Sequence, residues 1–306
     1  MFLDHMGPTV FGPGEGVDVP PHPHIGLATV TYLLKGEIVH RDTTGVTQVI
    51  SPGAVNWMSA GSGVVHSERT PADLRAAGHV LEGLQLWITL PANAVETDPY
   101  FHHYDADAIP AFEAADGKAR GTVVLGSGYG VTSPVDLPLD AVMVVADVAA
   151  GAELDIPPCD ECSVYVMDGQ VAIGETTVGS DALAVLGKAG RKGVRRTGVV
   201  AQTDAKVALF GGATCDERFH WWNFVATSRE RLKVGRAGCG LYFCGIVEVG
   251  QCVVGGAALV EPVLVWRSAS RRSLLALTLL SRSIPCVADC ARRLGRGALP
   301  RTFGGP

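Results

Sequence analysis

The sequence predicts an all-β protein: two jelly-roll barrels in tandem, followed by an atypical tail. Three observations carry that prediction. Short runs rich in Val, Ile, Thr, Tyr and Trp recur with turn formers between them, at Lys35-Gly36, Thr44-Gly45 and Pro52-Gly53. The pattern then starts again, with Val164-Tyr165-Val166-Met167-Asp168-Gly169 echoing Thr31-Tyr32-Leu33-Leu34-Lys35-Gly36. Finally, 306 residues, 47% hydrophobic and 18% charged, suffice for two domains of ordinary size, each with its own core.

In chain order, residues 1–21 read as loop, dominated by turn formers such as Gly12-Pro13-Gly14. Strands are predicted over 28–34, 37–42, 47–50, 54–59, 63–68 and 82–90, a spacing that suits a closed barrel over residues 1–115. A polar linker follows at 110–119. The second barrel, 116–232, has predicted strands at 141–146, 153–156, 163–167, 170–173, 182–186 and 205–210. The aromatic run His220-Trp221-Trp222-Asn223-Phe224-Val225 follows, and then Ser228-Arg229-Glu230-Arg231. Residues 233–306 are a basic tail rich in Cys, Arg and Gly without clear period. It is expected to be poorly structured, as an out-of-frame end would be. A strand or two over 253–265 and a short basic helix over 271–280 are its most regular stretches.

The net charge of −6 conceals a split. Residues 231–306 carry eleven Lys/Arg against three acids, a net +8, which leaves −14 on the preceding 230. An acidic body argues against direct nucleic-acid binding. No run of eighteen apolar residues suggests a membrane span, and Met1-Phe2-Leu3-Asp4-His5 has no signal-like character, so the expected compartment is the cytoplasm. Five of the eight cysteines lie in the tail, at spacings that match no zinc pattern. Cys159-Asp160-Glu161-Cys162, after Pro157-Pro158, reads as a solvated loop with incidental thiols.

The chemistry concentrates between His22 and Glu68. Side chains two apart on a strand share a face, so His22 and His24 point together, and so do His66 and Glu68. A lone H-x-H is usually polar surface. Paired with H-x-E across predicted hairpins, it places three imidazoles and a carboxylate where they can converge inside a barrel. That set suits a borderline divalent metal such as iron, nickel, cobalt or zinc. His40 reads as a hydrogen-bonded non-ligand near the barrel mouth. His79, His102 and His103 fall in connecting segments, and none is assigned to metal. His220 reads as a packing residue. The second copy has Leu154-Asp155-Ile156 in place of H-x-H.

Several segments resemble the pirin family of the cupin superfamily: Asp4-His5-Met6-Gly7-Pro8, His22-Pro23-His24, Gly36-Glu37, His40-Arg41-Asp42, Asn56-Trp57-Met58, His66-Ser67-Glu68-Arg69 and Leu84-Gln85-Leu86-Trp87. The resemblance covers about residues 2–232 and ends abruptly after Leu232. It implies two cupin barrels, the first holding one divalent metal, usually Fe(2+), with Ni, Co, Mn or Zn as further occupants. Its ligands would be His22, His24, His66 and Glu68. Where many cupins carry a glutamate just after H-x-H, this chain has Leu27-Ala28-Thr29, so the carboxylate falls to Glu68. The resemblance also implies a further N-terminal stretch with strand, whose loss would leave a sheet edge uncovered. The implied activity is a quercetin 2,3-dioxygenase-type cleavage of a flavonol-like aromatic substrate by O2, with Glu68 as catalytic proton acceptor. The alternative is a non-enzymatic, iron-dependent co-regulator of transcription, or regulator of a metabolic enzyme, acting through a protein partner.

Overall fold

A computed structural model describes residues 2–186, 198–240, 259–260 and 263–267. The first barrel runs β1 (Phe2–Phe11), β2 (Asp18–His24), β3 (Leu27–Lys35), β4 (Ile38–Asp42), β5 (Thr47–Ile50), β6 (Val55–Ser59) and β7 (Val64–Arg69). A short helix α1 (Ala72–Ala77), then β8 (His79–Thr89) and β9 (Tyr100–Tyr104), complete it. These strands make two antiparallel sheets, ordered β1-β8-β3-β6-β9 and β2-β7-β4-β5.

The second barrel repeats the plan. It runs β10 (Ala111–Glu113), β11 (Ala119–Leu125), β12 (Ser127–Gly128), β13 (Val131–Thr132), β14 (Ala141–Val148), β15 (Glu153–Leu154) and β16 (Glu161–Asp168). It continues with β17 (Gln170–Ile173), β18 (Thr176–Gly179), β19 (Ala182–Leu186), β20 (Val199–Ala201) and β21 (Ala205–Gly212). One sheet contains β10-β11-β14-β21-β16-β19 and the other is β15-β20-β17-β18. The predicted all-β architecture of two tandem jelly rolls is what forms.

Strand periodicity explains where the cores sit. On β3, Ala28, Val30 and Tyr32 join Leu84, Leu86 and Ile88 of β8 and Val55 and Trp57 of β6. They pack against Val124, Met143, Val145, Tyr165 and Phe210 of the second barrel. That outward face of the first barrel's larger sheet is an inter-barrel core. The alternate residues, Thr29, Thr31, Asn56 and Gln85, are buried yet polar and face the barrel interior. In the second barrel the interior is aliphatic instead, with Val144, Val164, Val166, Val171, Val199 and Leu209 all nearly inaccessible. At β15–β20 the register sets Leu154 opposite Val199, where the first barrel sets His22 opposite His66.

Some local expectations are corrected. Residues 1–21 are not loop. β1 pairs with β8 from Phe2↔Trp87 to Phe11↔His79, and the register shifts between Met6 and Thr9, where Pro8 would otherwise lack an N–H for the ladder. The expected linker at 110–119 contributes β10, which pairs with β11. His79, His102 and His103 lie on strands β8 and β9 rather than in connections. Cys159 and Cys162 are joined as a disulfide, the loop bringing their Cα atoms to 6.3 Å, within bridging range.

The chain then returns to the first barrel. β22 (Phe219–Trp221) and β23 (Phe224–Ala226) form a hairpin, followed by helix α2 (Arg229–Gly240). Ser228 Oγ accepts from the Arg231 N–H at 3.1 Å, capping the helix. The Arg231 guanidinium donates to both oxygens of Glu96, at 2.8 and 3.0 Å, and to the Ser62 carbonyl at 2.6 Å. Within the tail from 233, β24 (Leu259–Val260) and β25 (Val263–Arg267) extend the second barrel's larger sheet, β25 pairing along Ala182–Leu186. These two strands overlap the strand or two expected over 253–265. The helix expected at 271–280 lies outside the described residues. Among the described residues no helix is long and apolar enough to cross a membrane.

Candidate metal centre

β2 is an edge strand, which suits a segment rich in proline. Pro20 and Pro21 occupy a register shift between Val19 and His22, after which His22 falls opposite His66 and His24 opposite Val64. On β7, Val64, His66 and Glu68 alternate inward, and β4 brings His40 opposite Glu68 and Asp42 opposite His66. Three neighbouring strands therefore deliver their polar side chains to one end of the barrel interior.

There the imidazoles of His22, His24 and His66 converge, with one donor atom from each lying within 4.8 Å of the others. His24 and His66 are 0% and 2% exposed. Burial first, then the neighbouring histidines, hold both pKa values well below the ordinary histidine value, so both rings are neutral. The His22 Nδ1 donates to the Pro20 carbonyl at 2.9 Å, and the His66 Nδ1 is engaged with the His40 Nδ1 at 3.3 Å. The nitrogens left facing inward are Nε2, and those of His24 and His66 stand 3.1 Å apart. The His24 Nδ1 lies within electrostatic reach of the Asn223 backbone, though outside ordinary hydrogen-bond geometry. One imidazole donates to the other across the His24–His66 contact in the free protein, and a divalent cation can take the place of that proton, because one nitrogen from each of the three rings lies within 4.8 Å of the others. The donor set fits a divalent metal.

Glu68 is buried on the same face of β7, but its carboxylate is not one of the converging donors. Its Oε1 accepts from Gln85 Nε2 at 2.8 Å, and Gln85 Oε1 accepts from the Trp87 indole at 3.4 Å. Asp4 lies nearby on β1. Burial, and then the Glu68 carboxylate, push its pKa from 3.8 up to about 6. The folded state thus holds this proton more tightly than the unfolded chain does. Its contribution is full below about pH 4 and lost as pH rises through about 6, on the order of 2–3 kcal/mol in all. Metal-free Asp4→Asn protein is expected to lose that slope in denaturant titrations between pH 4 and 7. An unchanged slope would place the titrating group elsewhere.

Of the residues singled out in the sequence, the structure thus gathers His22, His24 and His66, leaves Glu68 on Gln85 beside them, keeps His40 as a hydrogen-bonded neighbour, and places His79, His102 and His103 outside the cluster. Sequence reasoning missed the roles of Asp4, Asp42, Gln85 and Asn223. Their signal is proximity to the histidine cluster and Glu68 across strands, and spacing within one strand cannot show it.

The family described as Pirin matches residues 1–88, and the Pirin C-terminal cupin domain matches residues 143–235. A pirin-like protein of Caulobacter vibrioides is 39% identical over 240 residues, covering 77% of this chain and 81% of its own length. A Pseudomonas aeruginosa protein, provisionally named as a quercetin 2,3-dioxygenase, is 37% identical over 236 residues, covering 76% and 70%. Among solved structures, a quercetin 2,3-dioxygenase from Acinetobacter baumannii superposes with TM-score 0.69 at 31% identity, covering 85% of each chain.

Proposed function

This chain belongs to the pirin family, and from that premise we propose that its first barrel holds one divalent metal and catalyses a quercetin 2,3-dioxygenase-type reaction. Iron(II) is the proposed occupant, with nickel, cobalt, manganese and zinc compatible with the same donors. The observation that carries the reading is the approach of two buried, neutral Nε2 atoms to 3.1 Å, with His22 completing the triangle. The names of the Pseudomonas and Acinetobacter relatives support the reaction class.

In this proposal His22, His24 and His66 hold the ion and Glu68 is the fourth ligand. When bound, the ion supplies Lewis acidity for a chelating flavonol and access to dioxygen. The chain's own groups then have distinct tasks. Gln85 fixes one oxygen of Glu68, leaving the other free to turn toward the metal and to accept the flavonol hydroxyl proton. The buried polar lining excludes bulk water from the reacting ring. Overall, one flavonol and one O2 give the ring-opened ester acid and one carbon monoxide.

Anaerobic addition of quercetin to metal-loaded protein is expected to shift the flavonol absorption band, and admitting air should then consume it with release of carbon monoxide. No consumption with iron, nickel, cobalt or manganese would remove the enzymatic reading. Glu68→Gln preserves volume and the three imidazoles while removing the base. Turnover should fall at least ~100-fold in steady-state assays. A variant as active as the parent would take the base role from Glu68.

A further inference from the structure

We propose that Asp42 and His40 form a hydrogen-bonded chain that fixes the tautomer of His66, making His40 a positioning residue for the metal centre. The inference rests on the reading that His66 is a metal ligand, but its geometry is independent of any ion.

The chain starts in the turn between β4 and β5. Asp42 Oδ1 accepts from the Thr44 N–H at 2.9 Å, the Thr44 hydroxyl at 2.6 Å and the Val46 N–H at 3.3 Å. Its side chain is fully buried, and its remaining oxygen, Oδ2, lies 2.9 Å from His40 Nε2. These hydrogen bonds outweigh the cost of burying the carboxylate and hold its pKa below the usual value. An ionised carboxylate only accepts, so His40 must carry its proton on Nε2. When His40 carries that single proton, its Nδ1 is a bare acceptor. It lies 3.3 Å from His66 Nδ1, which must therefore be the donor. With its proton on Nδ1, His66 presents the Nε2 lone pair to His24 and His22. The His40 ring is held in place by stacking on Phe101, at 4.5 Å between centroids.

The order of donors is thus dictated from one end. A hairpin turn fixes a carboxylate, the carboxylate fixes one imidazole, and that imidazole fixes a second. Partners of this kind orient metal-bound histidines, and their loss typically weakens metal binding about 10–100-fold.

Asp42→Asn tests this directly. The turn's two N–H groups still need the amide oxygen, so the amide NH2 must face His40. His40 Nε2 then becomes the acceptor, the proton moves to Nδ1, and His66 is driven to the Nε2–H tautomer, the wrong one for a ligand. Long-range 1H–15N correlation spectra of the full, metal-free chain should show His66 protonated on Nδ1 in the parent and on Nε2 in Asp42→Asn. Nickel(II) affinity, measured by competition with a chromophoric chelator, should fall about 10–100-fold. His40→Phe keeps the stack but has no acceptor. It should lose affinity similarly, whereas His40→Asn, with an amide oxygen near the Nδ1 position, should restore it.

Finding His66 protonated on Nε2 in the parent would overturn the proposal. So would an Asp42→Asn protein with unchanged tautomer and affinity, or a folded His40→Asn as weak as His40→Phe. A parent that binds no nickel, iron or zinc would instead overturn the metal reading, and the tautomer spectra would still decide the chain.

Discussion

His66→Ala protein is expected to emerge from purification without metal, while the parent carries about one ion per chain. His66 is the hub of the cluster: its ring lies 4.3 Å from that of His22, 5.0 Å from His24 and 5.1 Å from His40, centroid to centroid. Removing it leaves His22 on an edge strand and His24 buried without the ring that faces it, so no third imidazole remains to complete the set. Metal binding stabilises a native state by an amount set by saturation, about 2.7 kcal/mol at a hundred times the dissociation constant. For a chain of this size that is a rise of roughly 5–10 °C in Tm, because each kcal/mol is worth about 2–4 °C. Added nickel or iron should therefore raise the parent's Tm and leave that of His66→Ala unmoved. Metal analysis showing a full complement of ion in the variant would mean that the three histidines are a packing cluster, and the proposed chemistry would fall with it.

The imidazole cluster was legible because it obeys the period of a strand: His22 with His24, and His66 with Glu68, each two apart. The barrels were legible through the repeated strand pattern. What escaped was everything that depends on which strand lies beside which. β1 looked like loop because its hydrogen bonds go to β8, far along the chain. The run from Thr29 to Leu33 looked like an ordinary buried strand, and which face would meet the site could not be read from it. Its apolar alternates point out of the first barrel because the second barrel covers them, which frees Thr29 and Thr31 to line the interior. The partners of the cluster were hidden for the same reason. Asp42 meets His66 only through the β4–β7 register and the intervening His40, and Gln85 meets Glu68 from the opposite sheet. Periodicity finds residues that share a strand face; it does not pair faces.

The second large effect is expected at a residue with no side chain. Gly26 joins the H-x-H strand to β3 with φ +65°, and a Cβ there would lie 2.1 Å from the Val225 carbonyl oxygen. That close approach is how the closing segment docks. The Val225 N–H donates to the Ile25 carbonyl at 3.0 Å, and Ile25 packs with Phe224, Ala226 and Leu232. The same hairpin carries Asn223, whose backbone faces His24. Gly26→Ala must therefore push residues 223–226 off the first barrel, beyond the left-handed strain of about 1–2 kcal/mol that any alanine there would bear. The summed loss should be on the order of 3 kcal/mol or more in denaturant unfolding, counting the lost packing of Ile25 and Phe224. Metal affinity should fall as well, because His24 loses the backbone it faces. Gly14→Ala separates the two causes: Gly14 also has positive φ, at +89°, but a Cβ there meets nothing within 4 Å, so it carries strain without displacement. If Gly26→Ala is no worse than Gly14→Ala in stability and binds metal as the parent does, the closing segment neither docks through Gly26 nor supports His24. If it is worse in both, a hairpin from beyond the second barrel is part of the first barrel's metal centre.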